Sequence, residues 1–415
     1  MNHAPLAFDA ALRLPNVRFF LGSVGCFTLA SRALVVVIGF QIYQITHSAL
    51  ALGWLGLVEA IPVLSLVLFG GYVADHYNRQ RILIITRSAS VLCALGLALI
   101  SQQEHATPLL GLYGIIFLAG IARGFADPAN SAFESQIVPK NLTVNASSWI
   151  GSTWIGCSIV GPALIGFVFA AWGAFGSYLI ITALFTLSLV FTLLIKSPEQ
   201  IMPKHQEPLL TSIQSGWRFV WSQQPLWGAM ILDLFAVLFG GMMALLPIYA
   251  NDILHVGPQG LGLLNAAPSI GALLMMLYAT KHPPIHHAGR NLLLVVTGFG
   301  LSVLVFAFST HFWISMLALI ATGVFDGVSM VIRRSMIRLL SPEGMRGRIS
   351  SVSWVFVCAS NELGAFESGM LAALIGTVPC VAVGGVMTLV VVGLVSVIAP
   401  QLKHLRFNPH TLERL

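Results

Sequence analysis

The chain has 415 residues, of which 57% are hydrophobic and only 9% are charged. This number of charged side chains is too small to cover the water-facing surface of a soluble domain. The composition therefore indicates a membrane protein. The formal net charge of +6 comes from lysines and arginines scattered between apolar runs, without the basic stripe of nucleic-acid-binding proteins, so we expect no nucleic-acid partner.

Twelve stretches meet or approach the length of about 20 apolar residues that a helix needs to cross the hydrocarbon core of a bilayer. They predict an all-α membrane protein with twelve transmembrane helices. The predicted spans are 19–43, 49–74, 82–100, 109–133, 146–171, 178–195, 226–250, 260–279, 292–309, 312–337, 349–375 and 378–399.

The cations indicate the orientation, because lysine and arginine in short loops stay on the cytoplasmic side. Loops 44–48, 101–108, 172–177 and 251–259 contain none. The polar segment 1–18 has no obvious signal-peptide cleavage site, and we expect it to be retained in the cytoplasm. Both termini are therefore predicted to be cytoplasmic in a multi-pass protein of the bacterial inner membrane. The lysines and arginines of the predicted cytoplasmic loops and termini are Arg13, Arg18, Arg79, Arg81, Lys140, Lys196, Lys204, Arg218, Lys281, Arg290, Arg338, Arg346, Arg348, Lys403, Arg406 and Arg414.

The longest polar interval, 196–225, divides the chain into an N-terminal half, 1–195, and a C-terminal half, 226–415, with six predicted helices each. This organisation in two halves is that of many secondary transporters. Within the interval, 209–221 has the periodicity of an amphipathic helix lying on the membrane surface. Its apolar positions are Leu210, Ile213, Trp217 and Trp221.

The loop after the second predicted helix reads GYVADHYNRQR and contains Gly71, Asp75, Arg79 and Arg81. A glycine permits close helix approach, while a carboxylate and guanidinium groups at a helix end can bind another helix terminus and release it. The string resembles the GxLADRxGRRR signature of the major facilitator superfamily in type, spacing and position. The alternative is that these cations only fix the topology.

The fifth predicted helix carries Gly156, Gly161, Pro162 and Gly166 in the string GCSIVGPALIG. It resembles the glycine–proline motif of exporters in this superfamily, although the glycine pair expected after the proline is replaced at 164–166. The resemblance implies export by antiport. Small residues here also serve simply to let helices approach closely.

Three strings in the second half, LLPIYANDIL, PEGMRGRISSV and ASNELGAFESG, resemble the bacterial efflux branch that includes the enterobactin exporter and macrolide efflux proteins. The loop after the eighth helix, TKHPPIHHAGR, has no acid and indicates an asymmetric gate. Its His282, His286 and His287 lack nearby cysteine or acid ligands, so we expect a basic loop and no metal site. The five cysteines fall in apolar runs without ligand spacing.

Charged residues inside apolar runs are costly and mark cavities, partners or proton paths. The resemblance implies that helices one, four, seven and ten line the central cavity, where they carry Arg32, Arg123, Asp233 and Asp326 respectively. Glu59, at a similar depth to Arg32 on the next helix, is expected to pair with it. Such pairs can also be purely structural.

Further charges lie in helices ten and eleven. Glu362 and Glu367 fall in the eleventh predicted helix and are candidates for the proton path or cavity. Arg333 and Arg334 lie near the inner end of the tenth and are expected to be interfacial anchors.

A gate is predicted at the cytoplasmic side. The resemblance implies that Arg79 reaches an acid on helix four, for which Asp127 has a suitable depth, while Asp75 faces the start of helix eleven, where exposed amides favour an anion. Alternatively, Asp127 pairs with Arg123 four residues earlier. The candidate gate residues are Gly71, Asp75, Arg79, Arg81, Asp127, Arg346 and Arg348.

These features predict a secondary active transporter that exports a small molecule by proton antiport and alternating access, with Asp326 and Asp233 as the leading proton carriers. A proton-coupled nutrient importer remains an alternative, as does a membrane enzyme or sensor. The chain contains no GxxxxGK[ST], HExxH or GxSxG motif, so we expect no cofactor and no enzymatic activity. Arg32 and Arg123 suit an anionic or catecholate substrate, whereas the acids suit a cationic drug. We expect a monomer in the lipid bilayer.

Overall fold

A computed structural model describes residues 10–102, 108–196, 209–279, 286–342 and 345–407. The described residues form helices and short connections, with no strand among them. The prediction of an all-α protein is therefore confirmed.

Among the described residues, the first part of the chain forms five α-helices. The fifth is broken at Gly173, whose φ of 64° and ψ of −165° are not helical, and this residue separates two arms. The arms correspond to the fifth and sixth predicted spans, because a left-handed φ at a glycine lets the chain turn back without steric cost. The helices are α1 (Pro15–Thr46), α2 (Ala49–His76), α3 (Arg79–Ile100), α4 (Leu109–Ile137) and α5 (Thr143–Leu194).

The second part begins with the predicted amphipathic helix and continues with six long helices. They are α6 (Leu209–Ser222), α7 (Gln224–Phe239), α8 (Gly257–Ala279), α9 (Ala288–Phe308), α10 (Phe312–Leu340), α11 (Arg346–Ile375) and α12 (Thr377–Ile398).

The predicted span 226–250 is not one regular helix. After α7 the chain continues as a 3-10 turn, Gly241–Leu245, and a π-helical turn, Tyr249–Ile253. Gly241 lies so close to Ser368 and Gly364 of α11 that a Cβ atom would overlap them. The missing side chain permits this approach, at the cost of helical regularity.

Ten helical segments in the described ranges have the length and composition to cross a membrane. This number takes α5 as one segment and omits α11, which has 30 residues. When the two arms of α5 are separated and α11 is added, each of the twelve predicted spans corresponds to a helix.

The chain folds into two compact units. The first unit consists of Met1–Ile45 and Val58–His205, and the second of Thr46–Leu57 and Gln206–Leu415. The start of α2 therefore belongs to the second unit, where Gly53 contacts Gly369 of α11.

In the first unit, α1 is fastened to the second arm of α5 by buried polar groups. The Ser23 hydroxyl lies 2.7 Å from that of Thr192, and the Tyr178 hydroxyl donates to Gln41 Oε1 at 2.7 Å. The apolar core near the start of α1 includes Phe20, whose ring meets that of Phe133 edge to face. These contacts fix α1 near both of its ends.

In the second unit, buried residues of α7, α9, α10 and α12 form one apolar cluster, in which Leu232, Leu292 and Ile332 are fully buried. Outside it, α6 stacks Trp217 on Phe356 of α11, with ring centroids 5.6 Å apart. The apolar cluster holds α7, which carries Asp233, beside α10, which carries Asp326.

Candidate functional site

Three charged side chains of the second unit meet between α7 and α10. The Arg333 guanidinium forms a short ion pair with Asp233 through Nη1, and its Nη2 lies 3.8 Å from Asp326 Oδ1. Arg333 and Asp326 are seven residues apart, two turns along one face of α10. We name Asp233, Asp326 and Arg333 the acid triad.

The members of the acid triad differ in exposure. The Asp233 side chain is 7% exposed and that of Arg333 is 11% exposed, whereas Asp326 is 43% exposed. Asp233 is thus a buried counter-ion, and Asp326 is the more exposed of the two acids.

A small cavity adjoins the acid triad. The volume open to the centre of a water molecule is about 10 Å³, which is about enough for one water. Apart from the two acids and Ser329 its lining is apolar: Asp233, Ala236, Val237, Val295, Val296, Phe299, Phe325, Asp326 and Ser329.

In the first unit, a second charged group lies between α2 and α4. Arg123 Nη1 donates to Glu59 Oε1 at 2.5 Å, and Arg123 Nε lies 3.7 Å from Asp127 Oδ2. The predicted partner of Glu59 was Arg32, and this prediction is wrong in the described structure. Gly120 explains the pair that forms, because its missing Cβ, which would lie 3.0 Å from the Glu59 carbonyl oxygen, lets α4 approach α2 closely.

Arg32 instead lies over the ring of Trp154 on α5, 5.3 Å from the ring centroid. Its side chain is exposed, and Trp154 is 45% exposed. Seven residues after Trp154, on the same face of α5, the absent Cβ of Gly161 would lie 2.9 Å from the Leu29 carbonyl oxygen. The close contact at Gly161 therefore sets Arg32 above the indole, a cation–π arrangement.

The remaining residues of the helix-five motif have different surroundings. Pro162 and Gly166 are buried within α5, whereas no described atom lies within 4 Å of the place where a Gly156 Cβ would be. Gly161 is therefore observed at a helix contact that a side chain would obstruct, and Gly156 is not.

The predicted gate residues of the first unit only partly behave as expected. Arg79 Nη1 donates to the Ala132 carbonyl oxygen on α4 at 3.1 Å, so Arg79 does reach α4. It does not reach Asp127, whose carboxylate pairs with Arg123, so that prediction is wrong. Arg79 also lies 4.0 Å from Asp75, four residues earlier.

Two other residues of the motif have local roles. No described atom lies within 4 Å of the place of a Gly71 Cβ, so the expected close helix approach at Gly71 is not observed. The Arg81 amide donates to Asn78 Oδ1, which caps the start of α3. Asn78 thereby fixes where α3 begins and directs Arg79 towards α4.

In the second unit, α11 begins at Arg346, and Arg348 Nη1 donates to Ser215 Oγ of α6 at 3.1 Å. The predicted role of Asp75 at the start of α11 stays a prediction. Glu367 accepts a hydrogen bond from Ser368, and Glu362 lies one and a half turns earlier, half-buried on α11. Neither belongs to the acid triad.

The histidine loop yields no metal site in the described part of the chain, where no three metal-ligating residues cluster. His286 and His287 are exposed, while His282 and Lys281 lie outside the described residues. The five cysteines are free thiols.

The sequence analysis did not predict the surroundings of two arginines. Arg333 was expected at the membrane interface, but it is the centre of the acid triad; its spacing of seven from Asp326 was the available signal. Arg87 on α3 is 2% exposed and lies over the ring of Phe27. No acid stands near it in sequence, so nothing in the local pattern pointed to it.

Comparison with known proteins gives similar relatives of almost equal length. The enterobactin exporter EntS of Shigella dysenteriae serotype 1 is 25% identical over 380 residues, covering 90% of this chain and 89% of that protein. The enterobactin exporter EntS of Escherichia coli K12 is 24% identical over the same length.

Solved structures share the fold at low identity. A transporter of the POT family in complex with 5-aminolevulinic acid gives a TM-score of 0.74 at 11% identity, covering 93% of this chain and 96% of that one. A bacterial homologue of the human lysosomal transporter Spinster, in an inward-facing and unoccupied conformation, gives 0.71 at 13% identity, covering 98% and 100%.

The model of the Major Facilitator Superfamily matches residues 20–283, more than half of the chain. Together with the long apolar helices of the described residues, this match confirms the resemblance drawn from the motifs. The chain is a membrane-embedded secondary transporter of small molecules, and it belongs to the major facilitator superfamily.

Proposed function

We propose that this transporter exports a small molecule in exchange for protons, and that the acid triad is the proton-coupling site. One observation carries the proposal: Arg333 stands between two carboxylates, of which one is buried and the other is accessible. A single cation cannot neutralise both acids. The triad therefore has one excess negative charge, which a proton can cancel.

Asp326 is the carboxylate that takes the proton. It is the more exposed acid, and its distance of 3.8 Å from Arg333 is longer than a hydrogen bond. Asp233 stays paired with Arg333, because removing a buried acid from its cation is expensive. Protonation of Asp326 frees Arg333 to bind Asp233 alone, so the charge state of the triad changes the contact between α7 and α10.

The charges of the first unit suit an anionic substrate. Arg32 is exposed beside Trp154, and the Arg123 side chain is 43% exposed. A guanidinium group binds carboxylates and phenolates, and an indole ring stacks on aromatic rings. An anionic aromatic compound satisfies both groups, and the names of the EntS relatives, enterobactin exporters, make enterobactin the first compound to test.

The direction and the energy source are tested in everted membrane vesicles from cells that produce the full chain. We expect enterobactin to accumulate inside these vesicles when respiration acidifies their interior, and an uncoupler to abolish the accumulation. Accumulation that resists the uncoupler and follows added ATP would reject proton antiport. Uptake into right-side-out vesicles, driven by an inward proton gradient, would establish the importer instead.

We also propose that both termini face the cytoplasm, since the loops 44–48, 172–177 and 251–259 lack lysine and arginine. Fusions to alkaline phosphatase test this orientation, because the enzyme is active only outside the inner membrane. The chain is truncated within a loop and the phosphatase is fused at that point. Fusions within 251–259 should be active, and fusions at the C-terminus inactive. The reverse pattern would contradict the orientation.

A further inference from the structure

Arg87 is a buried arginine without an acid partner in direct contact. Its side chain lies over Phe27 of α1, with the guanidinium carbon 3.5 Å from the ring centroid. Its Nη2 donates to Asn130 Oδ1 of α4 over a long 3.4 Å. Its Nε and Nη1 are buried and have no hydrogen-bond partner in the described structure.

Such an arrangement is incomplete. A buried charge is normally paired and fully hydrogen-bonded, since water cannot solvate it. The aromatic ring of Phe27 offsets part of the desolvation cost through cation–π attraction. Two donors, Nε and Nη1, are still unused. They point to different sides of the guanidinium group, and a carboxylate oxygen can accept from either one.

The nearest candidate carboxylate belongs to Asp127. It lies three residues before Asn130 on α4, hence on the same helix face and within one turn of the group that Arg87 already contacts. Its present contact with Arg123 is long, at 3.7 Å, while Arg123 is held by Glu59 at 2.5 Å. Asp127 is thus the acid that its present partner holds least tightly.

We propose that Arg87 is a second binding point for the Asp127 carboxylate, and that Asp127 moves between Arg123 and Arg87 as the transporter changes conformation. The inference rests on the proposed function for the existence of a second conformation. In one state Asp127 stays beside Arg123; in the other it accepts from an unused donor of Arg87. Arg87 is then a positioning residue that links α3 to the charges of α2 and α4.

The ratio of the two conformations measures this exchange without any substrate. We would use the full chain with its five cysteines replaced by serine, in lipid nanodiscs, with spin labels at Ser135→Cys on α4 and Arg338→Cys on α10. Arg87→Gln and Asp127→Asn should each shift the ratio in the same direction by about five- to tenfold. The double variant should shift it no more than the larger single variant, because both remove the same Arg87–Asp127 ion pair and the Arg123 contact that Asp127→Asn also removes is long and weak.

Glu134→Gln is the matched control. Glu134 is the next acid on the same helix and accepts a hydrogen bond from Ser147 at 3.1 Å. The fold-change that Glu134→Gln causes in the conformational ratio should multiply with the fold-change caused by Arg87→Gln, since the two residues have separate partners. Multiplying effects of Arg87→Gln and Asp127→Asn, or a single unchanging distance in all variants, would overturn the proposal.

Asn130→Asp keeps the test decisive if Arg87→Gln does not fold. This variant gives Arg87 a permanent acid, so adding Asp127→Asn should shift the ratio by less than about twofold. A full Asp127→Asn shift in that background would also overturn the exchange. If transport in vesicles does not depend on the proton gradient but the variants still show that Asp127 exchanges between Arg123 and Arg87, the proposed function alone is rejected. If transport depends on the proton gradient but the variants show no such exchange, the role of Arg87 alone is rejected.

Discussion

The charged groups of the two units differ in the sign of their net charge and in the exposure of their side chains. In the second unit, two acids share Arg333, which leaves one net negative charge, and two of the three side chains are almost inaccessible. In the first unit, three arginines accompany two acids, which leaves one net positive charge, and most of these side chains are partly exposed. The members of the first group are Arg32, Arg87, Arg123, Glu59 and Asp127.

We propose that the two groups have different roles in transport. An acid-rich, enclosed group beside a cavity for about one water suits a proton. A cation-rich, open group beside Trp154 suits an anionic substrate. Variants that break one group should therefore affect proton coupling, and variants that break the other should affect substrate binding or conformation.

The largest effect is expected from Arg333→Gln. It leaves Asp233 buried without its cation, which should lower the free energy of unfolding by about 3–5 kcal/mol and abolish transport. Chemical unfolding of the purified protein in detergent measures the loss. Its exposed neighbour is the control: Arg334→Gln should change stability by no more than about 0.5 kcal/mol. Equal losses in both variants would contradict the central role of Arg333.

Asp326→Asn should separate coupling from folding. The side chain is 43% exposed, so its loss leaves the protein folded and inserted, while proton-driven enterobactin flux should fall at least about tenfold. Asp252→Asn, an exposed acid outside the triad, should leave the flux unchanged. Normal proton-driven flux in Asp326→Asn would remove Asp326 from the mechanism.

A smaller effect is expected at the contact between α1 and α5. A Gly161→Ala methyl group would meet the Leu29 carbonyl at 2.9 Å, so the variant should lose about 1–3 kcal/mol of stability. Gly156→Ala, with open space around it, should gain up to about 1 kcal/mol from helix propensity. Thermal unfolding compares the two. Indistinguishable melting temperatures would show that Gly161 is not needed for this contact.

The smallest effect concerns Asp127. Its pair with Arg123 is partly exposed and long, so the coupling between Arg123→Gln and Asp127→Asn should be only about 0.3–0.5 kcal/mol in unfolding experiments. Arg79→Ala and Asp127→Asn should be additive, because Arg79 binds the Ala132 carbonyl instead. A measurable coupling between Arg79 and Asp127 would restore the contact expected from the motif.

The sequence predicted the helices well because each membrane crossing leaves a long apolar run. It also identified Asp233, Asp326, Glu59 and Arg123 as charges inside those runs. The error at Arg333 came from the helix end: the span was expected to stop at 337, but α10 continues to Leu340, which places Arg333 about two turns before the helix end. Charge depth depends on helix boundaries, which the pattern fixes poorly.

The partners of these charges were harder to predict, because they depend on helix rotation and approach. Glu59 meets Arg123 and not Arg32, since the missing side chain of Gly120 brings α4 against α2 at that level. Gly71, chosen as the close-approach glycine from its motif, has no such contact. The sequence shows where glycines could allow two helices to approach closely. It does not show at which glycine the helices do so.

Proton movement coupled to substrate tests the central claim most directly. Purified protein is reconstituted into liposomes that contain a pH-sensitive dye, and an enterobactin gradient is imposed across the membrane. The acid triad predicts proton movement opposite to the flow of enterobactin in the wild-type protein and none in Asp326→Asn. Enterobactin flux without proton movement in the wild-type protein, or equal proton movement in both proteins, would contradict it.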